Sequence, residues 1–242
     1  MPRSRRRLGW ALVAGLWGAL GAQADVAEPL VFGRVRTAQP LVALTFDCCQ
    51  TRQPAGFDQA IVRYLRDHQI PATFFLGGRW IETHPAATRA LARTPCFELE
   101  NHSYLHPHLR KLGSAAIRED LARTQKLLEH YGGRPARFFR PPYGEWDGHV
   151  VAEAARLGMA VVTWDVVTGD PDRHATTADL VQACRKARRG SIIIMHANGR
   201  GWQTAEALPR IIAALGRRGL RPVTLRTLVA LGEPERAGKD SR

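Results

Sequence analysis

Short apolar runs alternate with longer amphipathic stretches along most of this chain. Seven runs, 41–47, 72–76, 97–100, 136–140, 160–164, 191–196 and 222–225, carry the β-branched and aromatic residues of strands. Between them lie stretches with helical spacing, such as 57–68. The clearest spans 114–131, where Ile117, Leu121, Gln125 and Leu128 track one face, Ser114 is the expected N-cap and Gly132-Gly133 the stop. Strand and helix repeating in this way predict an α/β fold with a parallel sheet and right-handed crossovers, open or closed. Seven strands with helices outside would make a barrel one unit short of the eight-stranded form.

Sites in such folds gather at the carboxyl ends of the strands. Asp47, His102, Arg140, Trp164, Asp165 and His196 all fall at or just past a predicted strand end, so one rim would collect them. Several are charges closing an apolar run, which is costly unless they are paired or used. The alternatives are plainer: Asp47 as a turn cap, Arg140 as a surface residue before a proline turn, His196 as a satisfied core histidine.

His102 and His106 stand four apart. On one helical turn that spacing aims both imidazoles at a single metal ion. Two histidines, carboxylates and an open coordination position are the ingredients of metal-assisted hydrolysis, in which the ion polarises a carbonyl and acidifies a bound water. Asp47 would accept the water's proton and His196 would return one to the leaving group. Arg140 would pair with Asp165 or Asp170 and hold a carboxylate or histidine in orientation. Pro141-Pro142 stiffen the next segment, so that the Tyr143 amide would face a developing oxyanion. Trp80, Trp146 and Trp202 are either packing or a platform for sugar rings, and His84, His108, His130 and His149 read as surface residues.

The ends of the chain add an address. Arginines at 3, 5, 6 and 7, an apolar core and Ala22-Gln23-Ala24 predict a secretory signal peptide over 1–24, hence a periplasmic or secreted protein. A catalytic domain would then span 25–231, with a polar, disordered tail over 232–242. No later stretch is long and apolar enough for a membrane helix. The net charge of +13 is mostly scattered arginine, with no basic cluster interleaved with aromatics, which argues against a nucleic-acid partner. Of the cysteines 48, 49, 96 and 184, none has structural zinc spacing, and Cys96 and Cys184 are a candidate disulfide in an oxidising compartment.

Five motifs appear in order: Thr45-Phe46-Asp47, His102-Ser103-Tyr104-Leu105-His106, Arg140-Pro141-Pro142-Tyr143-Gly144, Trp164-Asp165 through Asp170, and Ile194-Met195-His196. Together they resemble the polysaccharide deacetylase family with the NodB homology domain, carbohydrate esterase family 4, over roughly 41–229. Ile70 to Phe75 is similar to the family's second strand. The resemblance implies an α/β fold, a distorted seven-stranded (β/α) barrel. It also implies removal of N- or O-acetyl groups from an acetylated polysaccharide or oligosaccharide by a divalent metal, usually zinc. Carried over, Asp47 is the general base, His102 and His106 are metal ligands, and Arg140 pairs with an aspartate of the fourth motif, Asp165 or Asp170. Tyr143 helps the oxyanion site and His196 is the general acid.

Two positions depart from the family pattern. Cys48 stands where a second aspartate usually supplies the third metal ligand. Three substitutes are open: Cys48 ligating as a thiolate, Asp47 binding the metal instead, or Asp58 reaching the ion. Val167 and Pro171 replace an aspartate and a tryptophan of the fourth motif. The lost aspartate also admits an inactive, glycan-binding descendant, and a third expectation is an amidohydrolase of another small acyl amide.

Overall fold

The longest apolar run becomes the middle of a sheet. In the computed structural model, which describes residues 29–50 and 56–237, β2 (Leu41–Cys48) is buried at every position, as befits a parallel strand covered on both faces. It pairs in parallel with β3 (Ala72–Leu76) on one side and β8 (Ile192–His196) on the other, while β9 (Arg221–Val223) takes its first three residues. From β3 the sheet continues in chain order through β4 (Phe97–Asn101), β5 (Phe138–Phe139) and β6 (Ala160–Val162). The two-residue β7 (Val166–Val167) flanks β8.

Three strands were not predicted from the pattern: β7 and two more. β1 (Val31–Arg36) lies parallel to β6, and β10 (Glu233–Arg236) runs antiparallel to β1. A single bridge between Arg34 and Ser191 ties the β1 side back toward β8. The sheet is therefore a curled, incompletely closed barrel of mainly parallel strands. The expected disordered tail needs correction: residues 233–236 form strand, because their backbone completes the edge of β1 and Glu235 ion-pairs with Arg34 at 2.7 Å. The predicted signal segment lies outside the described residues. Among those described, no helix is long and apolar enough to cross a membrane.

Eight helices are described: α1 (Gln59–Asp67), α2 (Gly78–Thr83), α3 (Pro85–Ala92), α4 (Ser114–Gly132), α5 (Gly148–Arg156), α6 (Thr177–Cys184), α7 (Thr204–Arg217) and α8 (Leu225–Ala230). In α4 the predicted face is the buried one: Ile117, Leu121 and Leu128 enter the core. Gln125 uses its amide, donating to the Ala136 carbonyl at 2.7 Å. Gly133 ends the helix in the left-handed conformation (φ 69°), but the N-cap is Gly113, and Ser114 is the first helical residue.

Apolar side chains form two clusters, one between sheet and helices and one inside the curl of the sheet. Leu225 and Leu228 of α8 plug the inner cluster beside Phe32, Phe75 and Phe138. Glu98 and Glu100 also point inward, where Arg226 bridges both at 3.0 and 2.9 Å. All four cysteines are free, so the expected Cys96–Cys184 disulfide is absent.

The strand register sets the rim. Asp47 is opposite His196 on β8 and Phe75 on β3, and Asn101 is opposite Leu76 and Phe139. The residues that follow Asn101 and Phe139, His102 and Arg140, therefore emerge beside Asp47.

Candidate metal centre and active site

Asp47 and Arg140 form a buried ion pair, Arg140 Nη1 donating to Asp47 Oδ1 at 2.8 Å. This corrects the expectation that Arg140 would meet Asp165 or Asp170. The guanidinium also donates to the Thr163 carbonyl at 3.3 Å and lies 4.1 Å over the Phe75 ring. Burial works to raise the Asp47 pKa, but the opposing influences, led by the charge of Arg140, outweigh it and hold the carboxyl below its ordinary range. Asp165 is engaged elsewhere. It accepts from Ser191 Oγ and the Ile192 amide, both at 2.8 Å, and anchors the start of β8.

His102 presents Nδ1 to the Arg140 carbonyl at 2.8 Å. A neutral ring that donates there keeps the Nε2 lone pair for the cavity, where Asp47 Oδ2 lies 3.7 Å away. The helical premise for His106 fails, since residues 102–106 are loop. Ser103 and His106 adopt left-handed backbone (φ 60° and 59°), and the Asn101 side chain accepts from the Ser103 amide at 2.9 Å. Asp120 fixes the Tyr104 amide at 2.8 Å. This loop still brings the two imidazoles together, ring centres 5.0 Å apart. Burial lowers both pKa values, with the neighbouring histidine adding to it for His106, which falls to about 3. Both rings are thus neutral, as metal ligands must be.

The third residue placed to hold a metal is Cys49, one residue beyond the expected Cys48. Side chains alternate along an extended chain, so Cys48 turns away from Asp47 into the core, and Cys49 returns to the Asp47 side. Ligand atoms of Cys49, His102 and His106 all lie within 4.8 Å of one another. Asn198 Nδ2 supports the cysteine, donating to its carbonyl at 2.9 Å and its Sγ at 3.4 Å. Burial, with Asp47 adding to it, pushes the Cys49 thiol up to about 12, so a cation binding there must displace a proton. One sulfur and two imidazole nitrogens with an open fourth position suit a tetrahedral, borderline-soft divalent ion such as zinc. The residues fit that group. Asp58 is not among them: it accepts from the Gly199 amide at 2.7 Å.

Across the cavity, His196 Nδ1 lies 2.9 Å from Asp170 Oδ1. Asp170 Oδ2 accepts from the His196 amide at 2.7 Å and from Thr204 Oγ1 at 2.8 Å. Asp170 thus orients His196 rather than Arg140. Burial works to lower the His196 pKa, but the hydrogen bond and charge of Asp170 outweigh it and raise the pKa.

These groups line a cavity of about 270 Å³ whose other walls include Pro141, Tyr143, Trp164, Val167, Pro171, Ile194 and Arg200. Tyr143 sits at the mouth with left-handed backbone (φ 62°), its ring edge-on to His106 and flat against His108 at 4.2 Å. His108 is exposed, as expected of a surface residue, and also braces the site, its Nδ1 meeting Glu145 at 2.9 Å. Trp164 is the tryptophan of the cavity wall. Trp80 is wholly buried and donates to the Gly56 carbonyl, Trp146 packs against the core, and Trp202 lies under the Arg173 guanidinium. A roomier groove, about 530 Å³, runs between α6 and α7 but gathers no comparable set of facing titratable groups.

Residues 34–162 match the polysaccharide deacetylase family. The chain belongs to that family. It is 32% identical over 188 residues to the peptidoglycan-N-acetylglucosamine deacetylase of Bacillus cereus, covering 76% of this chain and 66% of that protein. It is 32% identical over 192 residues to the uncharacterized protein YlxY of Bacillus subtilis, covering 79% of this chain and 57% of that one. The chain thus spans at most about two thirds of these curated relatives. Among solved structures, a family-4 carbohydrate esterase pseudoenzyme of Bacillus anthracis superposes with TM-score 0.73 at 29% identity, over 83% of this chain and 69% of that one. A mutant of that pseudoenzyme with restored activity superposes with TM-score 0.74 at 30% identity, over 83% and 71%.

Proposed function

We propose that this protein is an exported, divalent-metal-dependent hydrolase that removes N- or O-acetyl groups from envelope or extracellular polysaccharide. The observation that carries the reading is the convergence of Cys49, His102 and His106 between two polar pairs, Asp47–Arg140 and His196–Asp170. The family's named deacetylases support the acetyl substrate, and the basic, apolar start of the chain supports export.

A divalent ion, zinc by the chemistry of its donors, would be held by Cys49 Sγ, His102 Nε2 and a ring nitrogen of His106, and would polarise the acetyl carbonyl and acidify water. Asp47 Oδ2 takes a proton from the attacking water as its oxygen bonds to the carbonyl carbon. Arg140 occupies Oδ1 and keeps the carboxylate ionised. His196 gives a proton to the leaving nitrogen or oxygen as its bond to that carbon breaks, and Asp170 keeps the imidazole protonated for this step. The Tyr143 amide is the oxyanion donor in this reading.

The test is acetate release from acetylated chitooligosaccharide, peptidoglycan and acetylxylan, before and after chelator treatment and return of zinc. Acetate that vanishes on stripping and reappears with zinc supports the reading. No release from any polymer by zinc-loaded protein overturns it. A second reading, an inactive glycan binder, is favoured by two observations: Cys48 replaces the family aspartate, and a pseudoenzyme is among the similar structures. Glycan binding without release selects that reading, and release from small acyl amides alone selects an amidohydrolase.

A further inference from the structure

Arg200 lines the catalytic cavity beside Cys49, His106 and His196, and the reaction just described gives it no part. The two carboxylates that face this cavity already have partners: Asp47 has Arg140, and Asp170 has His196. Asp58, on the neighbouring segment, is spent on the Gly199 amide. Among the described residues no carboxylate hydrogen-bonds to the Arg200 guanidinium or ion-pairs with it, and residues 51–55 contain no acid.

The backbone around it is pinned on both sides. On one side Asn198 binds the Cys49 carbonyl at 2.9 Å, and its own carbonyl accepts from the Gly56 amide at 3.0 Å. On the other, the Trp202 amide reaches the Asp170 carbonyl at 3.3 Å and Thr204 Oγ1 reaches the Asp170 carboxylate at 2.8 Å. Gly201 lets the loop pack this tightly, since a Cβ there would stand 2.4 Å from the His196 carbonyl oxygen. A fixed backbone holding a guanidinium that has no carboxylate partner among the described residues, at the wall of a reaction cavity, is placed to receive an anion. Arginine's planar fork matches a carboxylate with two parallel N–H donors.

We infer that Arg200 is a specificity-determining residue that receives a carboxylate borne by the sugar ring, so that the preferred substrates are acetylated amino sugars carrying an acidic substituent. This rests on the deacetylase reading and narrows its substrate class. One charge-assisted hydrogen bond made to the anionic sugar and missing with the neutral one corresponds to a preference of about tenfold to a hundredfold.

The experiment uses N-acetylmuramic acid and N-acetylglucosamine, which differ by a lactyl carboxylate, free and as units of glycan oligomers. Affinities for the two monosaccharides are measured by NMR titration of the full chain. The ratio of kcat/KM is measured for zinc-loaded protein on the corresponding oligomers, with wild type, Arg200→Gln and Arg200→Lys. Wild type is expected to prefer the acidic sugar in both readouts, with the preference shrinking as salt rises. Arg200→Gln should bring the ratio close to one, and Arg200→Lys should restore part of it. Equal affinity for the two sugars in wild type, or a preference that survives in Arg200→Gln, overturns the inference. A fall by the same factor on both oligomers also overturns it, because it would make Arg200 a partner of the reacting oxygen instead. If no glycan releases acetate, the deacetylase reading fails by itself, and the binding ratio still decides the role of Arg200.

Discussion

Replacing Arg140 with methionine should destabilise the fold far more than removing a surface charge. The guanidinium is wholly buried and donates to Asp47 at 2.8 Å, while Asp47 is itself almost fully covered. The Arg140→Met variant keeps most of the stem's apolar contact with Phe75 and deletes the charge. It strands a buried carboxylate, and breaking a buried pair from one side costs roughly 3–5 kcal/mol. That is a large share of the roughly 5–15 kcal/mol by which a domain is stable. The cost should depend on pH in a definite sense. In wild type the Asp47 pKa is depressed, so its contribution is complete above the unfolded value, about 4, and is lost as pH falls through the folded value. Without Arg140, burial is left as the largest influence and raises the folded pKa, so the variant's deficit is widest at neutral pH and narrows as pH approaches 4 or so. Urea unfolding of both proteins between these limits measures it. The Asp47→Asn/Arg140→Met double variant should recover part of the loss, because no charge is left behind. A deficit below about 1 kcal/mol at neutral pH, the scale of an exposed pair, would refute the buried-pair argument. So would a deficit that does not change with pH.

Three other outcomes are expected. Asp170→Asn removes the group that raises the His196 pKa, so the alkaline limb of the pH–rate profile should move to lower pH; an unmoved limb would exclude His196 as the acid it reports. In wild type the same pair stabilises the fold fully below the unfolded histidine pKa, about 6.5, and that contribution is lost as pH rises through the raised folded value, which pH-dependent melting with and without Asp170→Asn can read. Deleting residues 232–242 removes β10 and the Arg34–Glu235 pair, and should lower Tm by roughly 2–4 °C for each kcal/mol lost, whereas an unchanged Tm would return the segment to the status of a tail.

The strands and the rim were legible because buried parallel strands write themselves as apolar runs, and a charge at the end of such a run has few other reasons to be there. Arg140, Asp47 and His196 stand out in this way. The missed strands have no such signature: β7 is two residues long, β10 carries Glu233, Glu235 and Arg236, and β1 is interrupted by Gly33 and Arg34. Their pairing is decided by the neighbouring edge. The partners of Arg140 and Asp170 depended on distances between loops of unrelated sequence position, which no periodicity encodes. The cysteine is a different case. A period of two along 47–49 was present in the sequence and pointed to Cys49, but the family pattern drew attention to position 48. The loop geometry of His102 to His106, built on left-handed residues and the side chains of Asn101 and Asp120, could not be read from a spacing of four.

The most direct test of the whole account is a calorimetric zinc titration of metal-stripped full-length protein, alongside Cys49→Ala and Cys48→Ala. The account predicts one tight site in wild type with release of a proton, loss of tight binding in Cys49→Ala, and retention in Cys48→Ala, whose thiol belongs to the core. Tight binding that survives Cys49→Ala but not Cys48→Ala would contradict it, as would a wild-type protein that binds no zinc.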